Sequence, residues 1–254
     1  MKHVPLAAAA PILLAAAPGP ASLDAPKLPP GYLQRDALPD SLALLPPPPP
    51  AGSAAFARDE EVSRQTAQQS GSPRWNLAAS DADLRFPHAL SAFGCALGVA
   101  PDPVETPALY RLLGRMTVDV GLSTYKAKEH YQRVRPFVAH GNATCLPADE
   151  AMLREDGSYP SGHSALGWGW ALVLTELAPD RADTILQRGR DFGQSRLVCN
   201  AHWASDVDAG RLVAAATVAR LHADPVFKTD LASARKELAG KPRSAPADCA
   251  IAAD

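Results

Sequence analysis

Three short groups of residues in this 254-residue chain combine cations, small hydrogen-bond donors and histidines. Phosphoryl transfer spreads negative charge over three oxygens, and stabilising that charge supplies most of the catalysis. The chain carries three cations suited to this task, Lys128, Arg135 and Arg196. The groups, in chain order, are Lys128 with Arg135-Pro136, then Pro160-Ser161-Gly162-His163, then Ser195-Arg196 with His202 and Asp206.

In the first group, Lys128 and Arg135 are seven residues apart, which is about two turns of an α-helix. We therefore expect both side chains on one helix face, with the helix ending near Pro136 so that Arg135 reaches into a cleft. Lys126 and Arg133 make the region generally basic. A solvated basic face is the alternative interpretation.

In the second group, we expect a helix to begin at Ser161. Gly162 would let the backbone approach a ligand closely, and the free N–H groups of a helix start bind phosphate oxygens. Ser161 adds a hydroxyl donor, and His163 at the rim could donate a proton to a leaving oxygen. The alternative is a capped helix with a surface histidine.

In the third group, His202 and Asp206 are four residues apart and are expected on one helix face. A carboxylate that accepts from one imidazole nitrogen fixes the tautomer and leaves the other nitrogen free as a nucleophile. Arg196 is expected at the end of the preceding helix, facing the same point. The alternative is a surface pair worth a few tenths of a kcal/mol.

The elements that position these groups are predicted to be helices. From Ser53 onward the apolar residues recur at helical spacing, so we predict an all-α fold with a single compact helical domain over residues 54–254. An extended, proline-rich N-terminal arm over residues 22–53 precedes it, and Pro46–Pro50 favour polyproline II. The arm either lies on the domain or forms a flexible lead-in.

Five helix positions follow from capping residues and apolar spacing. They are a helix from Pro107 capped by Thr106, one from Ser161 to Leu177, one capped by Asp180 and reaching about Leu197, one starting near His202, and one over Leu231–Ala239. The helix near His202 is expected to bury Val207, Leu212, Val213, Ala216 and Leu221.

Composition and charge exclude several classes of protein. Hydrophobic residues make up 46% and charged residues 20% of the chain, which is ordinary for a globular protein. The net charge of −2 argues against a nucleic-acid partner. After the N-terminus no run reaches roughly 18 apolar residues, so we predict no membrane-spanning helix in the mature protein.

The N-terminus has the pattern of a cleaved secretory signal peptide over residues 1–21. A basic start at Lys2 is followed by an apolar run from Leu6 to Ala17 and by small residues, with cleavage expected after Ala21. A membrane helix is the alternative, but Pro11 interrupts a run already too short to span a bilayer. We therefore expect an exported protein.

The four cysteines, Cys95, Cys145, Cys199 and Cys249, form no CxxC pair, which argues against a zinc site. An even count in an exported protein predicts two disulfides, with three connectivities open. Reduced core cysteines are the alternative.

Taken together, the three groups resemble the signature of the type 2 phosphatidic acid phosphatase and vanadium haloperoxidase superfamily. That signature is K-x6-RP, PSGH and SR-x5-H-x3-D, and every specified position is present. Within the superfamily, the chain is similar to the bacterial class A non-specific acid phosphatases over most of its mature length. The similarity includes Gly31-Tyr32-Leu33, the prolines before Gly52-Ser53, Lys128–Tyr131, Gly157–His163 and Gly193–Arg196. Ser164 departs from the threonine usual in that class.

The resemblance implies broad hydrolysis of small phosphate monoesters at acid pH, with no metal or other cofactor. It also implies a periplasmic location, inhibition by vanadate, and often a homo-oligomer. The roles it assigns are His202 as nucleophile, His163 as the acid for the leaving alcohol, and Asp206 as the residue that orients His202. It assigns phosphate binding to Lys128, Arg135, Ser161, Gly162 and Arg196. It favours a Cys145–Cys199 disulfide, which would leave Cys95 to pair with Cys249.

Three rival functions share parts of this pattern. A vanadate-dependent haloperoxidase would use the same pocket, but the extended class A similarity favours hydrolysis. A lipid-phosphate phosphatase normally embeds its site among membrane helices, which this chain is not expected to have. A non-catalytic phosphate-binding protein would need the cations but neither His163 nor the His202–Asp206 pair.

Overall fold

The computed structural model of the protein describes residues 29–242 and Cys249, and these residues form helices and connecting segments without a β-strand. The all-α prediction is therefore confirmed. The helices are α1 Ser41–Leu44, α2 Ala54–Ala67, α3 Pro73–Ala82, α4 His88–Ser91, α5 Gly94–Leu97, α6 Pro107–Ser123, α7 Tyr125–Tyr131, α8 Pro136–His140, α9 Glu150–Glu155, α10 Gly162–Leu177, α11 Ala182–Val198, α12 Ala204–Leu221 and α13 Pro225–Ala239. Single 3-10 turns occur at Arg35–Ala37, Pro147–Asp149 and Pro179–Arg181.

Helix α10 lies at the centre of the domain and packs against α11, α12 and α6, and α6 in turn packs against α13. Trp170 of α10 is 1% exposed and meets the rings of Phe93 and Phe192 edge-on. Its indole N–H donates to the hydroxyl of Thr117, so the buried nitrogen is satisfied. This core fixes the directions of the helices whose ends carry the predicted site.

Several predicted helix starts need correction. Helix α6 begins at Pro107, but the Thr106 hydroxyl accepts from the amide of Asp102 at 2.7 Å and does not cap the helix. The 3-10 turn Pro179–Arg181 precedes α11, so the N-cap is Arg181 and not Asp180. Helix α13 begins six residues before Leu231, because Asp224 caps it and Pro225 occupies the first position.

The predicted buried face of α12 is partly wrong. Val207, Val213 and Leu221 are buried, whereas Leu212 is 47% exposed and Ala216 is half-buried. Leu212 lies about 100° around the helix from Val213, away from the face that packs on α10.

The described part of the N-terminal arm, from Pro29, lies on the helical domain. The Tyr32 ring packs in the core against Phe227, its amide donates to Asp119 and its hydroxyl donates to Asp230. Further along, the carbonyl of Pro46 accepts from the hydroxyl of Tyr159 at 2.9 Å. The predicted signal peptide, residues 1–21, and the first seven residues of the arm lie outside the described residues.

Both expected disulfides are present, Cys145–Cys199 and Cys95–Cys249. The first joins the segment after α8 to the end of α11, and the second joins α5 to residue 249. Across residues 29–242, none of the helices is both long and apolar enough to cross a bilayer.

Candidate active site

Lys128 and Arg135 do not share a helix face, contrary to the sequence prediction. Helix α7 ends at Tyr131, Gln132 is left-handed with φ 42°, and Arg135 is extended as the N-cap of α8. The two side chains still meet, because the Oδ2 atom of Asp156 lies 3.1 Å from Lys128 Nζ and 2.7 Å from Arg135 Nη2. Their side chains are 6% and 2% exposed, so they are not part of a solvated basic face. Burial lowers the pKa of Arg135, and burial together with Arg135 lowers the pKa of Lys128 to about 8.

The second group forms the start of α10, as predicted. Ser161 is the N-cap, and its Oγ accepts from the amide of Ser164 at 3.2 Å and from the hydroxyl of Ser164 at 2.8 Å. Because the Ser161 oxygen is the acceptor in both hydrogen bonds, the proton of its hydroxyl is still available for donation to a ligand. A Cβ atom at Gly162 would make only ordinary contacts, at 3.8 Å from Thr124 Oγ1 and 4.0 Å from Lys128 Cε.

Two close backbone approaches, one at the start of α10 and one at α7, hold the three groups next to one another. A Cβ atom at Gly210 of α12 would collide with the carbonyl oxygen of Ser161, and the Ser161 amide donates to the carbonyl of Asp206 at 2.9 Å. A Cβ atom at Gly157 would lie 2.6 Å from the carbonyl oxygen of Lys128. Gly210 therefore lets α12 contact the backbone at the start of α10, and Gly157 lets the 156–158 segment contact the backbone of α7.

His202 precedes α12, so the prediction that it shares a helix face with Asp206 is wrong. After α11, Asn200 adopts a left-handed conformation with φ 59°, and the amides of Ala201 and His202 both donate to the carbonyl of Arg196. The carbonyl of Asn200 accepts from the amide of Phe137 in α8. This turn, and not helical periodicity, brings His202 beside Arg135 and Asp206.

The imidazole of His202 is held at both nitrogens. Its Nε2 lies 2.9 Å from Arg135 Nη1, and its Nδ1 lies 3.4 Å from Asp206 Oδ2 and 3.3 Å from Ser158 Oγ. Because a guanidinium only donates, Nε2 must be the acceptor and Nδ1 must carry the proton. Burial, followed by the charges of Arg135, Lys128 and Arg196, holds the pKa of His202 well below its usual value. The ring is therefore neutral, with its Nε2 lone pair directed at the cations.

Asp206 is completely buried and fully hydrogen-bonded. Its Oδ2 accepts from the Trp203 amide and the Ser158 hydroxyl, and its Oδ1 lies 2.6 Å from Arg133 Nη1. Arg133 also pairs with Asp59 of α2 at 2.8 Å.

Sequence reasoning missed Arg133, Asp59 and Ser158 as parts of this site. Asp59 is 147 residues from Asp206, so no local pattern could reveal it. Ser158 lies two residues before the second group, and this closeness in sequence was the only indication that it could belong to the site.

Arg196 lies in the last turn of α11 and is 2% exposed, yet its Nε and Nη1 atoms have no hydrogen-bond partner among the described residues. Burial, followed by the charge of Arg135, lowers its pKa to about 9. A buried guanidinium with unpaired N–H groups is costly unless an anion satisfies it. The neighbouring Ser195 points elsewhere, because its hydroxyl donates to Asp81 at 2.6 Å and accepts from Arg74.

His163 lies in the first turn of α10 and is half-buried. Its Nε2 is 3.0 Å from the carbonyl oxygen of Ala82, which only accepts, so Nε2 carries a proton. Burial and the charge of Arg196 hold the pKa of His163 well below its usual value. All eight residues singled out from the sequence are thus gathered where the start of α10, the end of α11 and the 133–135 segment meet.

The same residues do not form a metal-ligand cluster. In the described part of the chain, no three histidine, cysteine, aspartate or glutamate side chains converge in a way that could hold a metal ion.

Comparison with known proteins finds matching relatives for this arrangement. The model of the PAP2 superfamily matches residues 108–229, a span that contains all eight residues. The chain is 44% identical over 209 residues to the non-specific acid phosphatase of Providencia stuartii, covering 82% of this chain and 84% of that protein. It is 45% identical over 198 residues to the non-specific acid phosphatase of Salmonella typhimurium, covering 78% and 79%. The acid phosphatase of Zymomonas mobilis is 44% identical over 199 residues, covering 78% and 75%.

Proposed function

Because this chain belongs to the PAP2 superfamily and, within it, to the bacterial class A acid phosphatases, we propose that it hydrolyses phosphate monoesters through a covalent phosphohistidine at His202, without a metal ion. The observation that carries this proposal is the unpaired, buried guanidinium of Arg196 in the same site as the neutral His202. An anion that satisfies Arg196 would lie within reach of a free imidazole lone pair.

The cations would bind the phosphoryl oxygens. Arg196, Arg135 and Lys128 supply charge, while the Ser161 hydroxyl and the Gly162 amide supply neutral donors at a helix N-terminus. Arg135 Nη1 donates to His202 Nε2 at 2.9 Å. A bound phosphoryl oxygen gives Arg135 another acceptor, which would free the Nε2 lone pair for in-line attack.

In the first chemical step, an N–P bond forms at His202 Nε2 as the P–O bond to the alcohol breaks. The ring becomes positively charged, and Asp206 stabilises it through the proton on Nδ1. Asp206 stays fixed during this step because Arg133, Ser158 and Trp203 hold both of its oxygens.

His163 would give its proton to the departing alkoxide and then accept one from the water that attacks the phosphohistidine. Burial and Arg196 lower the pKa of His163 in the ligand-free site, which keeps it neutral there. The negative charge of a bound phosphate beside Arg196 acts in the opposite direction, so the substrate itself would promote protonation of its acid catalyst. The contacts grip only the phosphoryl group, which supports broad specificity among small phosphate monoesters.

We also propose that the protein is exported to the periplasm, that vanadate inhibits it by mimicking the pentacoordinate state, and that it self-associates. The two disulfides support an oxidising compartment. The signal-peptide pattern of residues 1–21 supports export.

The deciding experiment is hydrolysis of p-nitrophenyl phosphate by the mature protein, with and without EDTA, from acid to mildly alkaline pH. We expect EDTA-resistant activity that is highest on the acid side. Denaturing quench during turnover of a labelled substrate should trap an acid-labile, base-stable label on His202. Activity lost to EDTA, or a label absent from His202, would refute the mechanism, and halide oxidation with vanadate and peroxide would then be tested.

A further inference from the structure

The carboxylate of Asp156 lies among the phosphate-binding cations. Its Oδ2 atom bridges Lys128 Nζ at 3.1 Å and Arg135 Nη2 at 2.7 Å, and its backbone carbonyl accepts from Arg135 Nε. The Asp156 side chain is 35% exposed, whereas both cations are buried. The carboxylate is therefore the solvent-accessible member of this group.

Asp156 and the nucleophile flank the same guanidinium. Nη1 of Arg135 contacts His202 Nε2 and Nη2 contacts Asp156 Oδ2. A phosphoryl group that His202 attacks while Arg135 and Lys128 hold it must place one oxygen next to this carboxylate. What that oxygen carries decides whether the contact is favourable.

A carboxylate can only accept hydrogen bonds, so it repels an ionised phosphoryl oxygen but binds a P–OH group. We propose that Asp156 selects the ionisation state of the bound anion, accepting a hydrogen bond from the P–OH of a monoanionic phosphate and disfavouring fully ionised oxyanions such as sulfate. This inference rests on the proposed function and deepens it, because it names the form of the substrate that the site takes.

Selection of the monoanion by Asp156 would explain the expected preference for acid pH through the ionisation of the substrate. A phosphate monoester loses its second proton at about pH 6, so the monoanion is the main form on the acid side. With Asp156 in place, falling kcat/KM above that pH would follow the loss of the P–OH group as well as the state of His163.

The test compares Asp156→Asn with the wild type and with the control Glu155→Gln, which removes a charge at the adjacent exposed position. Calorimetry at about pH 5 measures binding of inorganic phosphate, which then carries P–OH groups, and of sulfate, which carries no proton. We expect the wild type and Glu155→Gln to bind phosphate at least about 10-fold more tightly than sulfate, from one hydrogen bond to a charged group. In Asp156→Asn, sulfate binding should tighten until the two affinities agree within about 3-fold, because the amide can donate to an ionised oxygen.

Two results would overturn the inference. One is equal tightening of both anions in Asp156→Asn, which would make Asp156 a simple competitor for the cations. The other is no change in the affinity for either anion. A measurement on the wild type needs no variant, since its preference for phosphate must disappear as the pH rises and phosphate loses its second proton. Binding is independent of turnover, so failure to hydrolyse p-nitrophenyl phosphate would refute the proposed function while leaving this result readable.

Discussion

The guanidinium of Arg135 donates to the Nε2 atom of His202 at 2.9 Å. One residue is thus a proposed phosphate-binding cation and also fixes the tautomer of the proposed nucleophile, because Nε2 must accept and the proton must lie on Nδ1. The Nδ1 proton is then directed at Asp206 Oδ2, 3.4 Å away. In the proposed mechanism, substrate binding has to replace the hydrogen bond from Arg135 that orients His202.

Replacing His202 by alanine should abolish turnover of p-nitrophenyl phosphate, because no other residue presents a lone pair to the phosphorus in the proposed mechanism. His222→Ala is the control, since His222 pairs with Glu176 on the surface. Steady-state rates and quench labelling test both variants. Substantial turnover by the His202 variant would exclude the covalent route.

Replacing His163 by alanine should lower kcat, and the loss should be larger for substrates whose leaving group is more basic. Alkyl phosphates need a proton on the departing oxygen, whereas p-nitrophenolate leaves without one. We expect the loss of kcat to be larger for an alkyl phosphate than for p-nitrophenyl phosphate, by roughly 100-fold. Equal losses for both substrates would remove the acid role from His163.

Replacing Arg196 by methionine should separate stability from phosphate binding. Its Nε and Nη1 atoms have no hydrogen-bond partner among the residues that the structure describes, so Tm without phosphate should hold or rise, because an uncompensated buried charge is removed. The increase of Tm that phosphate gives the wild type should disappear. Activity should fall roughly 100- to 1000-fold.

Arg188→Met is the matched comparison, because Arg188 is paired with Asp81 and bonds the Ala92 carbonyl. That variant should melt at a lower temperature and keep its response to phosphate. An Arg196→Met protein that melts well below the wild type without phosphate would contradict the assignment of Arg196 as a residue satisfied by the ligand.

The depressed pKa values of His163 and His202 predict that acid destabilises the ligand-free protein. Both groups bind protons less readily when folded than when unfolded, where the pKa is about 6.5. The free energy of unfolding should therefore fall as pH drops below that value and continue to fall towards the folded pKa values. Urea denaturation at several pH values measures this slope.

Phosphate should reduce the loss, because its charge favours the protonated histidines, and its binding should take up protons from the buffer. A His163→Gln/His202→Asn double variant should show a shallower pH dependence than the wild type. A slope identical to that of the wild type would assign the acid sensitivity to other groups.

The residues that the structure gathers in the candidate site can be predicted from the sequence, because the chemistry of each group is specific and its members lie within twelve positions of one another. The start of α10 is equally predictable, since Ser161 caps it locally. The relative placement of the paired side chains is not predictable in this way. The prediction of a shared helix face is wrong both for Lys128 with Arg135 and for His202 with Asp206. Gln132 takes a left-handed conformation between Lys128 and Arg135, and Asn200 takes one just before His202. Gln132 carries no sequence signal for that conformation, whereas Asn200 follows the C-cap of α11, a position where asparagine is often left-handed.

The supporting network of the site depends on contacts between distant parts of the chain. In the sequence Arg133 is one of several neighbouring basic residues, which suggests a solvated basic face. Its side chain is nevertheless only 8% exposed and pairs with Asp59 and Asp206. Its role depends on α2 packing beside α12, which apolar periodicity along the chain does not specify. Asp156 could be read only as part of a polar loop, because its two cationic partners become neighbours through the fold.

The disulfide between Cys95 and Cys249 closes a covalent ring that contains all eight residues of the proposed site. A protease that cuts one peptide bond inside this ring opens it but releases no fragment, since the bridge still joins the two pieces. Both histidines and all the proposed phosphate-binding cations remain on one molecule after such a nick. Cleaved protein would keep its mobility under denaturing, non-reducing electrophoresis as a single species, and would separate into two chains only after reduction.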